Sequence, residues 1–338
     1  MKSKNGKYTL KAYQVLLKTN RTKRLLVEGK DDRQFFKLLI NEFSKLSEKK
    51  RIERINIDSA SDFISSDVSE GEKQLGNREI VERICQKASN TDYAHRLVGF
   101  VDREFRGFNY LNKEEIKDDI QKHNINLTGR VIWSRGHSIE NYFFDRTVLS
   151  ETLRLHISEE WFEKTMNFFE QYFEQVIILG CAVSMATRQI KAQVEKKFEK
   201  IGKCIDWKML NLDGDSLLLN NEGWKSELIK RKILTLHEAE KILQLFFDWK
   251  AKLETVNFDL VRWLCHGHIG FKFILSFFKF CIVKTCPDRN LENPDKYLGN
   301  FKDDKHFNFC VNVWLKRAIV NECEHPMETF NCLGFELF

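Results

Sequence analysis

Proline is nearly missing from this chain, at 3 in 338 residues, and glycine contributes only 16. Folds made of tight turns and short strands need more of both, so the scarcity argues for long regular elements. No apolar run reaches the roughly 20 residues that cross a bilayer, and the basic N-terminus lacks the apolar core of a signal peptide. A cytoplasmic protein with no membrane association is the expectation. Cys-x-x-Cys pairs are missing too. The 9 cysteines are scattered and odd in number, which suits reduced thiols better than a disulfide framework. Neither GxxxxGK nor GxGxxG occurs, which speaks against a small-molecule phosphotransferase built on a glycine-rich loop. Acid is missing from residues 1–27, where Lys2, Lys4, Lys7, Lys11, Lys18, Arg21, Lys23 and Arg24 stand without a counter-charge. Beside an acidic ion site, such a segment could hold the phosphates of a polyanion; by itself it reads as a solvated basic tail.

What is present organises the chain in two parts. A length of 338 residues with 42% hydrophobic content can bury a sizeable core, and two domains are expected. Leu25, Leu26 and Val27 read as a buried strand, followed by helical spacing at Phe35, Phe36, Leu38 and Leu39. A short strand at 54–57, a polar loop at 58–77, a helix at 78–88 and a strand at 96–101 come next. A helix at 113–122 and a strand at 130–133 complete the run. Strands alternating with helices predict a parallel α/β sheet. From about Val148 onward the pattern turns helical, with amphipathic segments at 159–173, 185–201 and 236–253. An apolar, aromatic stretch at 258–282 is too interrupted by charge to span a membrane and reads as buried packing or a subunit interface.

The strand ends carry the chemistry. Glu28 and Asp32 follow the first strand, Asp102 and Glu104 the third, and Glu140 lies just past the fourth. In a parallel sheet such ends share one edge, where open α/β folds bind ligands. Gly29 lets the backbone turn beside Glu28. Carboxylates gathered in one crevice repel, and a divalent cation with hard-oxygen preference, Mg²⁺ or Mn²⁺, removes that cost. One ion or two could activate water at a phosphodiester. Taken singly, each motif also reads blandly: Asp31 or Asp32 as a helix N-cap, Asp102-Arg103-Glu104 as a polar turn.

These residues resemble the Toprim domain of topoisomerases, primases and nucleases. VEGKDDRQFF at 27–36 is similar to that family's first glutamate motif, and FVDREFRGF at 100–108 to its Asp-x-Asp motif, with Glu104 replacing the usual aspartate. Asp32, four residues after Glu28, and Ser138-Ile139-Glu140 resemble the OLD-like nuclease branch. HSIENYFF at 137–144 resembles the single-domain Toprim effectors of PARIS-type anti-phage systems. The resemblance spans about residues 24–144, with a weaker likeness at Cys265-His266-Gly267-His268.

The resemblance implies a Toprim-like catalytic domain at 1–147 and a helical domain at 148–338 for dimerisation, partner docking or substrate grip. It implies Glu28, Asp32, Asp102, Glu104 and Glu140 as catalytic metal ligands, with Ser138 a ligand or supporting donor. Lys30 and Arg103 are placed by position to contact a substrate phosphate; His137 could do so or donate a proton, with ordering of the loop the preferred reading. Expected partners are nucleic acid (RNA such as tRNA, or DNA), a restraining ABC-type ATPase, and a second copy in the active homodimer. The competing reading is a non-catalytic nucleic-acid-binding or scaffold subunit with a degenerate Toprim fold. His266 and His268 fit core packing or a helix start better than a zinc site, and Asp213-Gly214-Asp215 reads as a turn.

Overall fold

The computed structural model describes residues 7–46, 55–64, 75–110, 115–119, 125–126, 130–155, 157, 159–190, 194–285, 303–320 and 322–334. Lys2, Lys4, Cys286 and parts of the predicted elements at 54–57, 58–77 and 113–122 lie outside them. The chain divides into two compact units. One comprises Met1–Gly107, Asp118–Ile139 and Leu315–Phe338; the other comprises Phe108–Lys117 and Glu140–Trp314.

The first unit is built on a parallel sheet. Its strands are β1 (Arg24–Val27), β2 (Asn56–Ser59), β3 (Leu97–Val101), β6 (Ile125–Asn126) and β7 (Val131–Trp133), in the order β2-β1-β3-β7-β6. Every pair except β6–β7 is parallel. The register sets Val27 beside both Ser59 and Phe100, and Val101 beside Trp133, so β1, β2, β3 and β7 end together. All of β1 and β3 is buried, as sheet strands covered on both faces should be.

Helices from both ends of the chain pack in this unit. The basic segment is no free tail: its described part forms α1 (Leu10–Thr19), capped by Thr9 and burying Leu10, Tyr13 and Leu17. Arg24 is spent inside the fold, 2.6 Å from Asp58, which also accepts from the Tyr13 hydroxyl at 2.9 Å. Helix α2 (Lys30–Leu46) follows β1, and α3 (Asn77–Ser89) precedes β3. β3 lies so close to α3 that a Cβ at Gly99 would meet Cys85 Sγ and Val81 Cγ1 at 2.8 Å each. The C-terminal end also belongs here, since Phe330 packs on Phe36 and Phe43. The expected boundary at 147/148 assumed a chain that leaves its first domain once; the chain comes back.

The second unit is helical: α4 (Arg146–Arg154), α5 (Glu159–Gln189), α6 (Val194–Gly202), α7 (Asn221–Lys230), α8 (Leu236–Leu253), α9 (Phe258–Leu264), α10 (Gly267–Thr285) and most of α11 (Asp303–Ala318). The last helix, α12 (Met327–Cys332), lies in the first unit. α5 runs 31 residues, continuing through what the spacing divides at 173 and 185. It packs on α8 and α10. Facing glycines permit the α5–α10 approach, since a Cβ at Gly180 would lie 3.3 Å from Gly270 Cα. Asp213 and Ser216 bracket the turn of a hairpin, β8 (Leu210–Asp213) with β9 (Ser216–Leu219), where Gly214 adopts φ +56°. Among the described residues no single helix is long and apolar enough to cross a membrane; α9 and α10 pass together but bend by 113°.

Two further strands, β4 (Phe108–Asn109) and β5 (Lys117–Asp118), are short. β5 stands where a helix over 113–122 is expected. Asp118 is drawn into the first unit by Arg103 and Arg135, and Asp119 N–H donates to Gly107 C=O at 2.8 Å. Those ties hold the backbone extended against its helical spacing.

Candidate active site

Glu28 leaves β1 at its C-terminal end, directly beside the end of β3. Its Oε1 accepts the backbone N–H of Asp102 at 2.7 Å, joining two motifs that lie 74 residues apart. Burial pushes the Glu28 carboxyl up to about 7. The Asp102 N–H opposes that rise, the charges of Asp32 and Glu104 add to it, and Arg78 opposes it. The electrostatics therefore place Glu28, Asp32 and Glu104 in one neighbourhood, around a carboxylate short of positive charge.

Asp32 has a second task. Its Oδ2 accepts the N–H of Gly29 at 2.8 Å, the back-bond from the third helical residue to the cap of α2. The capping reading and the site reading thus coincide in one side chain. Ser59, at the end of β2, donates from its hydroxyl to the Glu28 carbonyl at 3.2 Å and steadies the turn. Lys30 is exposed at the first position of α2.

Glu104 sits at φ +55°, a left-handed conformation uncommon for a residue with a side chain. Its N–H donates to the His137 carbonyl at 2.7 Å, and its carboxylate reaches Arg78 Nη1 at 2.6 Å. His137 is buried, edge-on to Phe105 with ring centroids 4.6 Å apart, so it orders the loop around Glu104. Ser138 is buried in the same unit.

Arg103 corrects an expectation. Its guanidinium is fully buried and donates to the carbonyls of Arg106 and Arg135 and to Asp118, at 2.6, 3.0 and 2.5 Å. A cation so bound ties the loop together and is not offered to a substrate phosphate.

Glu140 belongs to the other unit. There it is buried and 2.9 Å from Nε2 of His268, which stands in the first turn of α10 and is largely exposed. His266 is buried and stacks on Phe198 at 4.4 Å, and burial pushes its imidazole down to about 3. The two histidines are thus a core residue and a helix start, as expected, yet His268 also touches the Ser-x-Glu glutamate. Asn141 donates from Nδ2 to the carbonyls of Arg262 and Cys265 at 2.6 and 2.8 Å, capping the end of α9. Tyr142 and Phe143 pack on Trp263 and Trp314.

Arg78 was not foreseen from the sequence, and neither was the approach of His268 to Glu140. Both lie far along the chain from the carboxylates they meet, and no spacing ties either to its partner. For a divalent ion the donors fit by chemistry: Glu28, Asp32, Asp102 and Glu104 offer only hard oxygens, and the raised Glu28 carboxyl marks a place where added positive charge is favoured. As they stand, no group of three or more acidic, histidine or cysteine side chains among the described residues is arranged to hold an ion. Glu104 is turned to Arg78 and Asp32 to the Gly29 N–H. Compared with known proteins, the chain matches no family model and no curated relative.

Proposed function

We propose that the chain is a Mg²⁺- or Mn²⁺-dependent endonuclease with a Toprim-like, OLD-like site. The observation that carries this reading is the Glu28–Asp102 contact, which joins the carboxylate motifs of two parallel strands at one sheet edge. Glu28, Asp32, Asp102 and Glu104 would hold one or two ions, with Ser138 of the same unit as a further donor that the motifs imply. A divalent ion supplies charge that makes water nucleophilic at neutral pH and steadies the leaving oxygen of a phosphodiester. The chain's own groups prepare for that. The Asp102 N–H orients Glu28, Asp32 fixes the start of α2, and the N-terminus of that helix with exposed Lys30 favours an approaching phosphate.

In this reading the protein is the toxic effector of an anti-phage system, restrained by an ABC-type ATPase and active as a homodimer on RNA such as tRNA, or on DNA. These roles rest on the HSIENYFF and Ser-x-Glu resemblance. A second reading, a non-catalytic nucleic-acid-binding or scaffold subunit, is favoured by one observation: Arg78 already neutralises Glu104. Purified protein incubated with Mg²⁺ and separate pools of plasmid and tRNA decides between them. Cleavage of one pool is expected, with Glu28→Ala at least about 10³-fold slower. Equal cutting by the variant would overturn the site, and no cutting of either pool would favour the scaffold.

A further inference from the structure

A positive charge in the first turn of a helix runs against the helix dipole. Arg78 nevertheless occupies the second residue of α3, and its guanidinium faces the carboxylate edge of the sheet rather than solvent alone. Its Nη1 lies 2.6 Å from Glu104 Oε2 and its Nε 3.9 Å from Glu82. The side chains of Arg78 and Glu104 are 28% and 35% exposed, so their ion pair is within reach of water and of an arriving ion. Glu104 stands in the left-handed region, and strain of that kind collects at functional positions.

The layer behind Arg78 is firmer. Glu82 is bound by Arg106 at 2.7 Å, and Arg106 donates to the carbonyls of Asp102 and Arg103 at 2.5 and 3.0 Å while lying 4.5 Å over the Trp133 ring. Arg78 therefore stands between a fixed carboxylate, Glu82, and one at the candidate ion site, Glu104. Arg103, the cation the motif itself supplies, is consumed inside the fold.

We propose that Arg78 is a phosphate-contacting cation of this site, and that its ion pair with Glu104 is a latch. It holds the carboxylate when no ion does, and frees the guanidinium for a substrate phosphate when an ion takes Glu104. The inference rests on the ion-site reading above. An arginine suits the task because its planar fork can grip two phosphate oxygens, and Glu82 stands 3.9 Å from its Nε.

Calorimetric titration with MnCl₂, followed by binding of a single-stranded oligonucleotide in CaCl₂, tests it. Arg78→Ala is expected to bind Mn²⁺ roughly fivefold tighter, because Glu104 is no longer claimed by a competing cation. The same variant should bind the oligonucleotide more weakly. Arg78→Lys should return Mn²⁺ affinity to the wild-type level and restore oligonucleotide binding only in part. If circular dichroism shows Arg78→Ala misfolded, Arg78→Gln serves in its place with the same expectation. Unchanged or weaker Mn²⁺ binding by the alanine variant, while Glu28→Ala loses Mn²⁺, would overturn the latch and leave the ion site standing. No Mn²⁺ uptake by the wild type would overturn both.

Discussion

Two glutamates, Glu28 in the sheet unit and Glu140 in the helical unit, are held in opposite ways. Around Glu28 the surroundings are electrostatic: burial raises its carboxyl, and one backbone N–H, two neighbouring carboxylates and an arginine modulate that rise. Around Glu140 they are steric. His268 Nε2 lies 2.9 Å from its carboxylate, but the segment is seated by Asn141 on the α9 carbonyls and by Phe144 against Gly270. A site arranged by charge can be retuned by an ion, whereas one arranged by packing keeps its shape. The two units should therefore break differently.

The largest expected effect is at Glu28. Removing its carboxylate by Glu28→Ala should cost at least about 10³-fold in cleavage while the protein stays folded, since the buried carboxyl is unfavourable when charged. Thermal melting beside the nuclease assay checks both halves. Next comes Gly270→Ala. A Cβ there would stand 2.6 Å from Phe144 Cε2 and 2.8 Å from Cys265 Sγ. Overpacking of this kind costs about 1–3 kcal/mol, read as a lowered midpoint in urea. If Gly270→Ala were as stable as wild type, the packing account of the second unit would fail.

A smaller effect concerns pH. The Glu28 carboxyl is raised from 4.5 to about 7, so the folded state binds its proton more tightly than the unfolded chain does. Its contribution to stability is fully present below 4.5 and is lost as the pH rises through about 7. Without divalent ions, stability should decline across that window, and Glu28→Gln should flatten the decline. A variant whose pH profile matched wild type would contradict the burial of that charge.

Much of the sheet unit was legible because its signals are local. Leu25 to Val27 and the LVGFV run needed only an apolar stretch and a following acid to place Glu28 and Asp102 at neighbouring strand ends. Helix α8 was legible to its last residue from its amphipathic spacing, and the structure adds the capping box of Thr235 and Glu238 at its start. What stayed hidden was set by partners distant in sequence. Arg103 reads as a loop cation, and only Asp118 and the carbonyls of Arg106 and Arg135 reveal it as internal. Periodicity favours a helix around 117, and the same aspartate overrides it. Arg78 and His268 carry no spacing that ties them to Glu104 or Glu140. The return of the chain to pack Phe330 on Phe36 has no local mark either.

The central claim is that the carboxylates at the ends of β1 and β3 form a divalent-ion site. Anomalous diffraction from crystals grown with MnCl₂ tests it most directly. A peak is expected within about 2.0–2.3 Å of oxygens from both Glu28 and Asp102, with Glu104 released from Arg78. Crystals with no peak at that edge, and Glu104 still paired with Arg78, would contradict it.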